Sequence, residues 1–136
     1  MNISDQGLLL MKMREGSRTH AYLDTKGIPT IGVGHISGVK MGDTITDEQA
    51  LDLLRGDIAI VENAINSLVT VQLTQNQFDA LCSFIFNVGV GAFKNSTLLR
   101  RLNFQDYMGA SQAFDMWHIP PEITSRRNSE KAQFLS

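Results

Sequence analysis

The side chains that could do chemistry sit close together near the start of the chain. Glu15 is followed nine positions on by Asp24, and Thr30 comes six beyond that. Two carboxyls in unlike surroundings, with a hydroxyl beside one of them, is the set that glycoside hydrolysis uses. One acid holds a proton for the departing sugar oxygen, and the other stays ionised to face the positive charge or orient a water. Glu15 suits the first task. It is expected at the C-terminal end of a helix, where the macrodipole is negative and a neutral carboxyl is favoured, the more so if it is partly buried. Asp24, beside a turn and close to Lys26, suits the second, and the Thr30 hydroxyl can donate to Asp24 or hold the water. Taken singly none of the three is diagnostic. A Glu at a helix end and an Asp before a turn are ordinary structural residues, and Thr is ordinary in a strand.

The elements that must position them can be read from the neighbouring residues. The apolar run Gly7 to Met13 reads as a helix, with Ser4 as its N-cap and Asp5 in its first turn. Gly16 follows Glu15 and is a natural left-handed stop. Ala21-Tyr22-Leu23 and Ile28 to Val33 are strand-like, and Thr25-Lys26-Gly27 between them carries a turn signal, which predicts a short hairpin. Ile36 to Thr44 reads as loop. Thr46-Asp47-Glu48-Gln49 is a capping box. It opens a helix about six turns long whose stripe runs from Leu51 to Leu68 through Leu54, Ile58, Val61 and Ile65, interrupted only by Gly56. This helix is expected to be the spine joining a sheet lobe to a helical lobe.

Beyond it, Thr74 to Gln77 is a second capping box. The helix it opens buries Phe78, Leu81, Cys82 and Ile85 and stops at Asn87 to Gly91. Ser96 caps a short helix from Thr97 to Leu102. Another is expected from Gln105 to Met116, with Tyr107, Ala110 and Phe114 inward. Trp117 fits core packing better than sugar stacking. Pro120-Pro121 breaks the chain, and Thr124 or Ser125 should cap a last helix in which Arg126 and Glu130 can pair.

Bulk properties set bounds. A chain of 136 residues is expected to form one domain with a core of its own. The single cysteine, Cys82, excludes an internal disulfide and, in its apolar setting, reads as a core residue. The net charge of −2 conceals +2 over residues 1–40, −5 over 41–96 and +1 over 97–136. That pattern gives no support to nucleic-acid binding. No apolar run reaches eighteen residues, so no transmembrane helix is expected. No secretory signal pattern occurs at the start. The three histidines, His20, His35 and His118, lack metal-ligand spacing. His35 is the one expected to bond an acid. No repeat or low-complexity tract marks a separate binding module.

The E-x8-D-x5-T spacing, set in Gly27-Ile28-Pro29-Thr30-Ile31-Gly32-Val33-Gly34-His35, resembles the phage-type lysozymes, or endolysins, of glycoside hydrolase family 24. The likeness continues at Tyr22, at Ser83 to Gly89, at Ser96 to Leu99 and at Arg126-Arg127-x-x-Glu130. It departs at His118 to Ile123, which stands where the family has a Gly-rich linker, and in lacking a Gly-Leu before the arginines. The resemblance implies a two-lobed α+β lysozyme-like fold over residues 1–136. A sheet lobe would span about 17–45, and a helical lobe would take in 46–136 together with the N-terminal helix. It implies Glu15, Asp24 and Thr30 as catalytic residues, with Tyr22, His35, Arg126 and Arg127 in supporting or substrate-binding places, the arginines near Glu15.

The implied activity is hydrolysis of the β-1,4 bond between N-acetylmuramic acid and N-acetylglucosamine in bacterial cell walls, with no cofactor. The implied setting is a freestanding monomer held in the host cytoplasm, neither inserting in a membrane nor binding nucleic acid, until a holin opens the way to the periplasm. A lytic transglycosylase and a catalytically silent wall-binding protein are the alternatives.

Overall fold

The computed structural model describes residues 1–136. The fold is α+β: eight α-helices and one two-stranded antiparallel sheet. The chain divides into two compact units, one of residues 8–59 and one of residues 1–7 with 60–136.

The unit of residues 8–59 holds most of α1 (Asp5–Glu15), the strands β1 (Arg18–Leu23) and β2 (Pro29–Gly32), and α2 (Asp47–Asp57). The N-cap of α1 is Ser4, whose hydroxyl accepts the Gly7 amide at 3.0 Å. The helix ends at Glu15 because Gly16 turns left-handed, at φ +77°, and its amide bonds back to the Lys12 carbonyl at 2.9 Å. The hairpin pairs Tyr22 with Thr30 and Leu23 with Pro29, then slips, so that four steps on β1 match two on β2 before Arg18 meets Gly32. The surplus backbone finds another partner. His20 bridges Thr44, the Ala21 amide donates to Asp43, and Thr19 accepts from Ile45. The stretch read as loop therefore contributes a third edge. Gly32 lies so close to α2 that a Cβ there would meet Ile45 and Ala50 at 3.3–3.4 Å.

The single long helix expected after Thr46 is two helices, α2 and α3 (Ala59–Leu68), parted at Ile58. Its capping box is present, Thr46 and Gln49 bonding each other's backbone amides. The backbone at Ile58 stays right-handed, but its amide is shared between the Leu54 and Gly56 carbonyls, so the ladder tightens beside Gly56 and breaks. Helix α2 packs on both strands and belongs with the sheet, whereas the lobe boundary had been expected before it, at 45–46.

The second unit is helical: α3, α4 (Gln75–Val88), α5 (Val90–Lys94), α6 (Thr97–Asn103), α7 (Tyr107–Ala113) and α8 (Thr124–Leu135). Its centre is α4, which packs chiefly on α8 and is buried continuously from Phe78 to Ile85. Phe84 meets Phe114 and Trp117 edge-on at 5.3 and 5.5 Å, and Phe114 meets Phe134 at 5.6 Å. Trp117 is thus a packing residue. The stop at Gly89 is real, at φ +96°, but the chain resumes at once as α5, too short to carry its own periodicity. The expected helix from Gln105 to Met116 is α7, capped by Asp106, with a 3-10 turn from Phe114 to Met116. Tyr107 is only half-buried and gives its hydroxyl to the Gln72 carbonyl. Helix α8 has no side-chain cap from Thr124 or Ser125. A 3-10 turn over Pro121–Ile123 runs straight into it, so backbone already bonded precedes the first turn.

Candidate active site

Glu15, Asp24, Thr30, Tyr22 and His35 all lie in the unit of residues 8–59. Glu15 ends α1 and is exposed, not partly buried; the left-handed Gly16 leaves it standing at the helix terminus. From there two residues lead into β1 and the hairpin that carries the others.

Asp24 is held by its own turn. Its Oδ1 accepts the amides of Lys26 and Ile28, both at 2.8 Å, and its amide donates to the Ile28 carbonyl at 3.0 Å. This is an Asx turn, for which Asp is chosen because a short acceptor reaches the amide two residues on. One carboxylate oxygen is therefore committed to backbone, while Oδ2 makes no bond within the protein.

The Thr30 hydroxyl does not donate to Asp24, which is one of the two roles the sequence offers it. It donates to the Ile28 carbonyl at 2.8 Å, and the residue is 3% exposed. The link to Asp24 is one step longer. Ile28 gives its amide to the Asp24 carboxylate, and its carbonyl takes both the Thr30 hydroxyl and the Asp24 amide. Thr30 thus fixes the peptide that fixes Asp24. No side-chain pattern announces this, because the middleman is backbone.

Tyr22 stands directly across the hairpin from Thr30, with the Arg18 guanidinium 4.4 Å above its ring. His35 bonds an acid: its Nδ1 lies 2.8 Å from Asp57 Oδ2, and its Nε2 lies 3.0 Å from the Ser37 carbonyl. The ring ties the hairpin's far end to the last turn of α2, just before the break at Ile58. Both its nitrogens are engaged, and no group of three His, Cys, Asp or Glu is arranged to hold a metal.

Arg126 and Arg127 lie in the other unit, at the start of α8, and flank Glu130. Glu130 is fully buried. Its Oε2 accepts from Arg126 Nε at 3.1 Å and from the Ser83 hydroxyl at 2.5 Å, and its Oε1 pairs with Arg127 Nη1 at 2.7 Å. Arg126 also donates to the Ser83 carbonyl at 2.8 Å, and Arg127 to the Asn87 side chain. Two guanidiniums on one buried carboxylate is a costly arrangement unless every proton is placed, which Ser83 and Asn87 help to do. The i+4 pairing of Arg126 with Glu130 is legible in the sequence; the i+3 pairing of Arg127 and the partners Ser83 and Asn87 on α4 are not. Cys82, also on α4, is no nucleophile. Burial foremost, then the charges of Asp79 and Glu62, push its thiol up and keep it protonated.

Comparisons with known proteins place the chain in a family. The phage lysozyme family model matches residues 12–130. The chain is 49% identical to the endolysin of Salmonella phage P22, over 100% of this chain and 99% of that one. A crystal structure of a mutant P22 lysozyme superposes with a TM-score of 0.95 over the same shares. The muramidase domain of SpmX from Asticaccaulis excentricus superposes at 0.92, with 42% identity over 99% of this chain and 98% of that one. With a helix-end glutamate, an Asx-turn aspartate and a strand threonine spaced as they are, and matches over nearly its whole length, the chain belongs to the phage lysozyme family, whose members are glycoside hydrolases of the lysozyme type.

Proposed function

We propose that this enzyme hydrolyses the β-1,4 bond between N-acetylmuramic acid and N-acetylglucosamine in bacterial peptidoglycan, and that it acts as an endolysin. The observation that carries the reading is the state of Asp24. Its carboxylate is clamped by one oxygen to two backbone amides, which leaves the other oxygen for a substrate or a water. In this reading Glu15 gives its proton to the glycosidic oxygen as the bond to the anomeric carbon breaks. Asp24 faces the opposite side of that sugar, where charge develops. A water supplies the new hydroxyl at the anomeric carbon and returns a proton to a carboxylate. Thr30 is a positioning residue that acts through Ile28, and Tyr22 and His35 hold the hairpin. Arg126 and Arg127 hold the buried Glu130 within the helical unit.

The alternatives differ at Asp24. A lytic transglycosylase needs the acid but not a second carboxylate, so Asp24→Asn would leave it active. A silent wall-binding protein would lower no turbidity at all. The test is clearing of outer-membrane-stripped cells by the wild type, Glu15→Gln and Asp24→Asn, each checked by circular dichroism. Lysis by the wild type alone is expected. Full activity in Glu15→Gln removes the acid role, and full activity in Asp24→Asn turns the reading toward transglycosylase. The same reading has the protein accumulating as a monomer in the host cytoplasm and meeting the wall through a holin-type lesion. Fractionation of expressing cells with and without such a lesion tests that.

A further inference from the structure

Positions i, i+3, i+4 and i+7 make one face of a helix, and a face turned toward neighbouring chain is ordinarily apolar. On α8 the stripe Thr124, Arg127, Asn128 and Lys131 is polar throughout. It lines a cavity of about 390 Å³, within the range of small-molecule sites, roughly 300–1,000 Å³. Asp115 and His118, from the 3-10 turn and the segment after it, complete the lining. All six residues lie in the helical unit, whereas Glu15, Asp24 and Thr30 belong to the other.

The lining is rich in donors. Asp115 is its only carboxylate, and Asp115 Oδ2 is taken by Lys131 Nζ at 2.8 Å. An ammonium has three protons, so Lys131 keeps two for another acceptor. Arg127, 1% exposed, is tied to Glu130 and adds its charge without needing a new bond. Thr124 and Asn128 stand one turn apart, and neither side chain bonds to the protein. The His118 ring donates from Nδ1 to the Asp115 carbonyl at 2.9 Å, since a carbonyl only accepts, and this leaves Nε2 open. An ammonium, a guanidinium, an amide and a hydroxyl on one recess call for an oxyanion. They come from separate side chains, not from one planar fork, which suits a tetrahedral group, and lysine partners phosphate as a point charge. His118 Nε2 can accept the proton that a phosphate monoanion carries.

We propose that this recess binds a phosphate group. Lys131 is its charged anchor, Thr124, Asn128 and His118 are its polar contacts, and Asp115 competes with the ligand for Lys131. His118 opens the segment at which this chain departs from the family's Gly-rich linker, so this wall of the site is the chain's own.

The test is an NMR titration of the full chain with inorganic phosphate, at an ionic strength held constant with chloride. The His118, Asn128 and Lys131 side-chain signals should move together and saturate with a Kd of about 1 mM, the scale of two charge-assisted hydrogen bonds. Lys131→Gln should weaken binding about tenfold. Asp115→Asn, which releases the ammonium, should tighten it about threefold, the scale of an exposed ion pair. Lys94→Gln removes an exposed cation of the same unit that does not line the recess, and should leave the Kd unchanged. Circular dichroism checks that each variant is folded. Sedimentation with phosphatidylglycerol vesicles separates the two sources of phosphate. Capture by the wild type and not by Lys131→Gln assigns the site to a lipid headgroup, and phosphate binding without capture assigns it to a free solute. No saturable shift, an affinity that Lys131→Gln leaves unchanged, or an equal loss in Lys94→Gln would overturn the proposal.

Discussion

Replacing Thr30 by Val tests how the hairpin holds its aspartate. The swap keeps the shape of a side chain that is 3% exposed and removes only the hydroxyl bonded to the Ile28 carbonyl. That carbonyl retains the Asp24 amide, so it is not orphaned, and the cost should sit near the middle of the range for one hydrogen bond, about 1 kcal/mol. For 136 residues the unfolding entropy is about 0.29 kcal/mol/K, so Tm should drop by about 3–4 °C. With a domain's stability of roughly 5–15 kcal/mol, such a loss leaves the protein folded at assay temperature. Activity should nevertheless fall by far more, about a hundredfold, because releasing the Ile28 peptide loosens one of the two amides that aim Asp24. Thr30→Ser should restore most of both. The distinguishing readout is amide hydrogen exchange: Ile28, and Lys26 with it, should exchange faster in Thr30→Val. If activity collapses while those amides stay as protected as in the wild type, Thr30 works directly on substrate or water and the linkage through Ile28 is wrong. Wild-type activity in Thr30→Val would refute any role.

Three further outcomes follow from the packing. Glu130→Gln leaves one buried and one partly buried guanidinium facing a neutral amide and should cost about 3–5 kcal/mol, or about 10–17 °C of Tm; a shift below about 3 °C would show the carboxylate is not holding them. Gly7→Ala gains helix propensity, but its Cβ would fall 2.6 Å from Asp79 Cγ and 2.8 Å from Ile3 Cγ1, so a net loss of about 1–3 kcal/mol is expected by thermal melting; a stabilised variant would refute the contact. The Cys82 thiol is held protonated beyond its ordinary value of 9.0, while the unfolded chain ionises there. This stabilisation is complete below that pH and is lost above it, at up to about 1.4 kcal/mol per pH unit. Denaturant melts of wild type should therefore fall more steeply above pH 9 than those of Cys82→Ala, and parallel curves would contradict it.

How much of this was legible in the sequence depended on whether the cause was local. The two Thr-to-Gln capping boxes, the Ser4 and Ser96 caps, the stop at Gly16 and the Gly27 turn are each decided within four residues, and all stand where the pattern put them. The break at Ile58 was hidden because the apolar stripe runs through it unaltered; what marks the place is Asp57, whose partner His35 is 22 residues away. Helix α5 was missed because five residues carry no period. The absent cap on α8 reflects a 3-10 turn that the two prolines permit but do not announce. Within the site, residue types and spacing pointed to Glu15, Asp24 and Thr30. The link between Asp24 and Thr30 passes through the Ile28 peptide group, which every residue possesses and no sequence distinguishes. The exposure of Glu15 and the pairing of Ser83 with Glu130, 47 residues apart, are tertiary facts of the same kind.

The most direct measurement is the chemistry of the new chain ends. Purified peptidoglycan digested by the wild type and analysed by mass spectrometry should yield muramic acid with reducing ends, one water heavier than the anhydro form, and Glu15→Gln should yield none. Anhydro ends from the wild type, or reducing ends at an undiminished rate from Glu15→Gln, would contradict hydrolysis driven by a proton from residue 15.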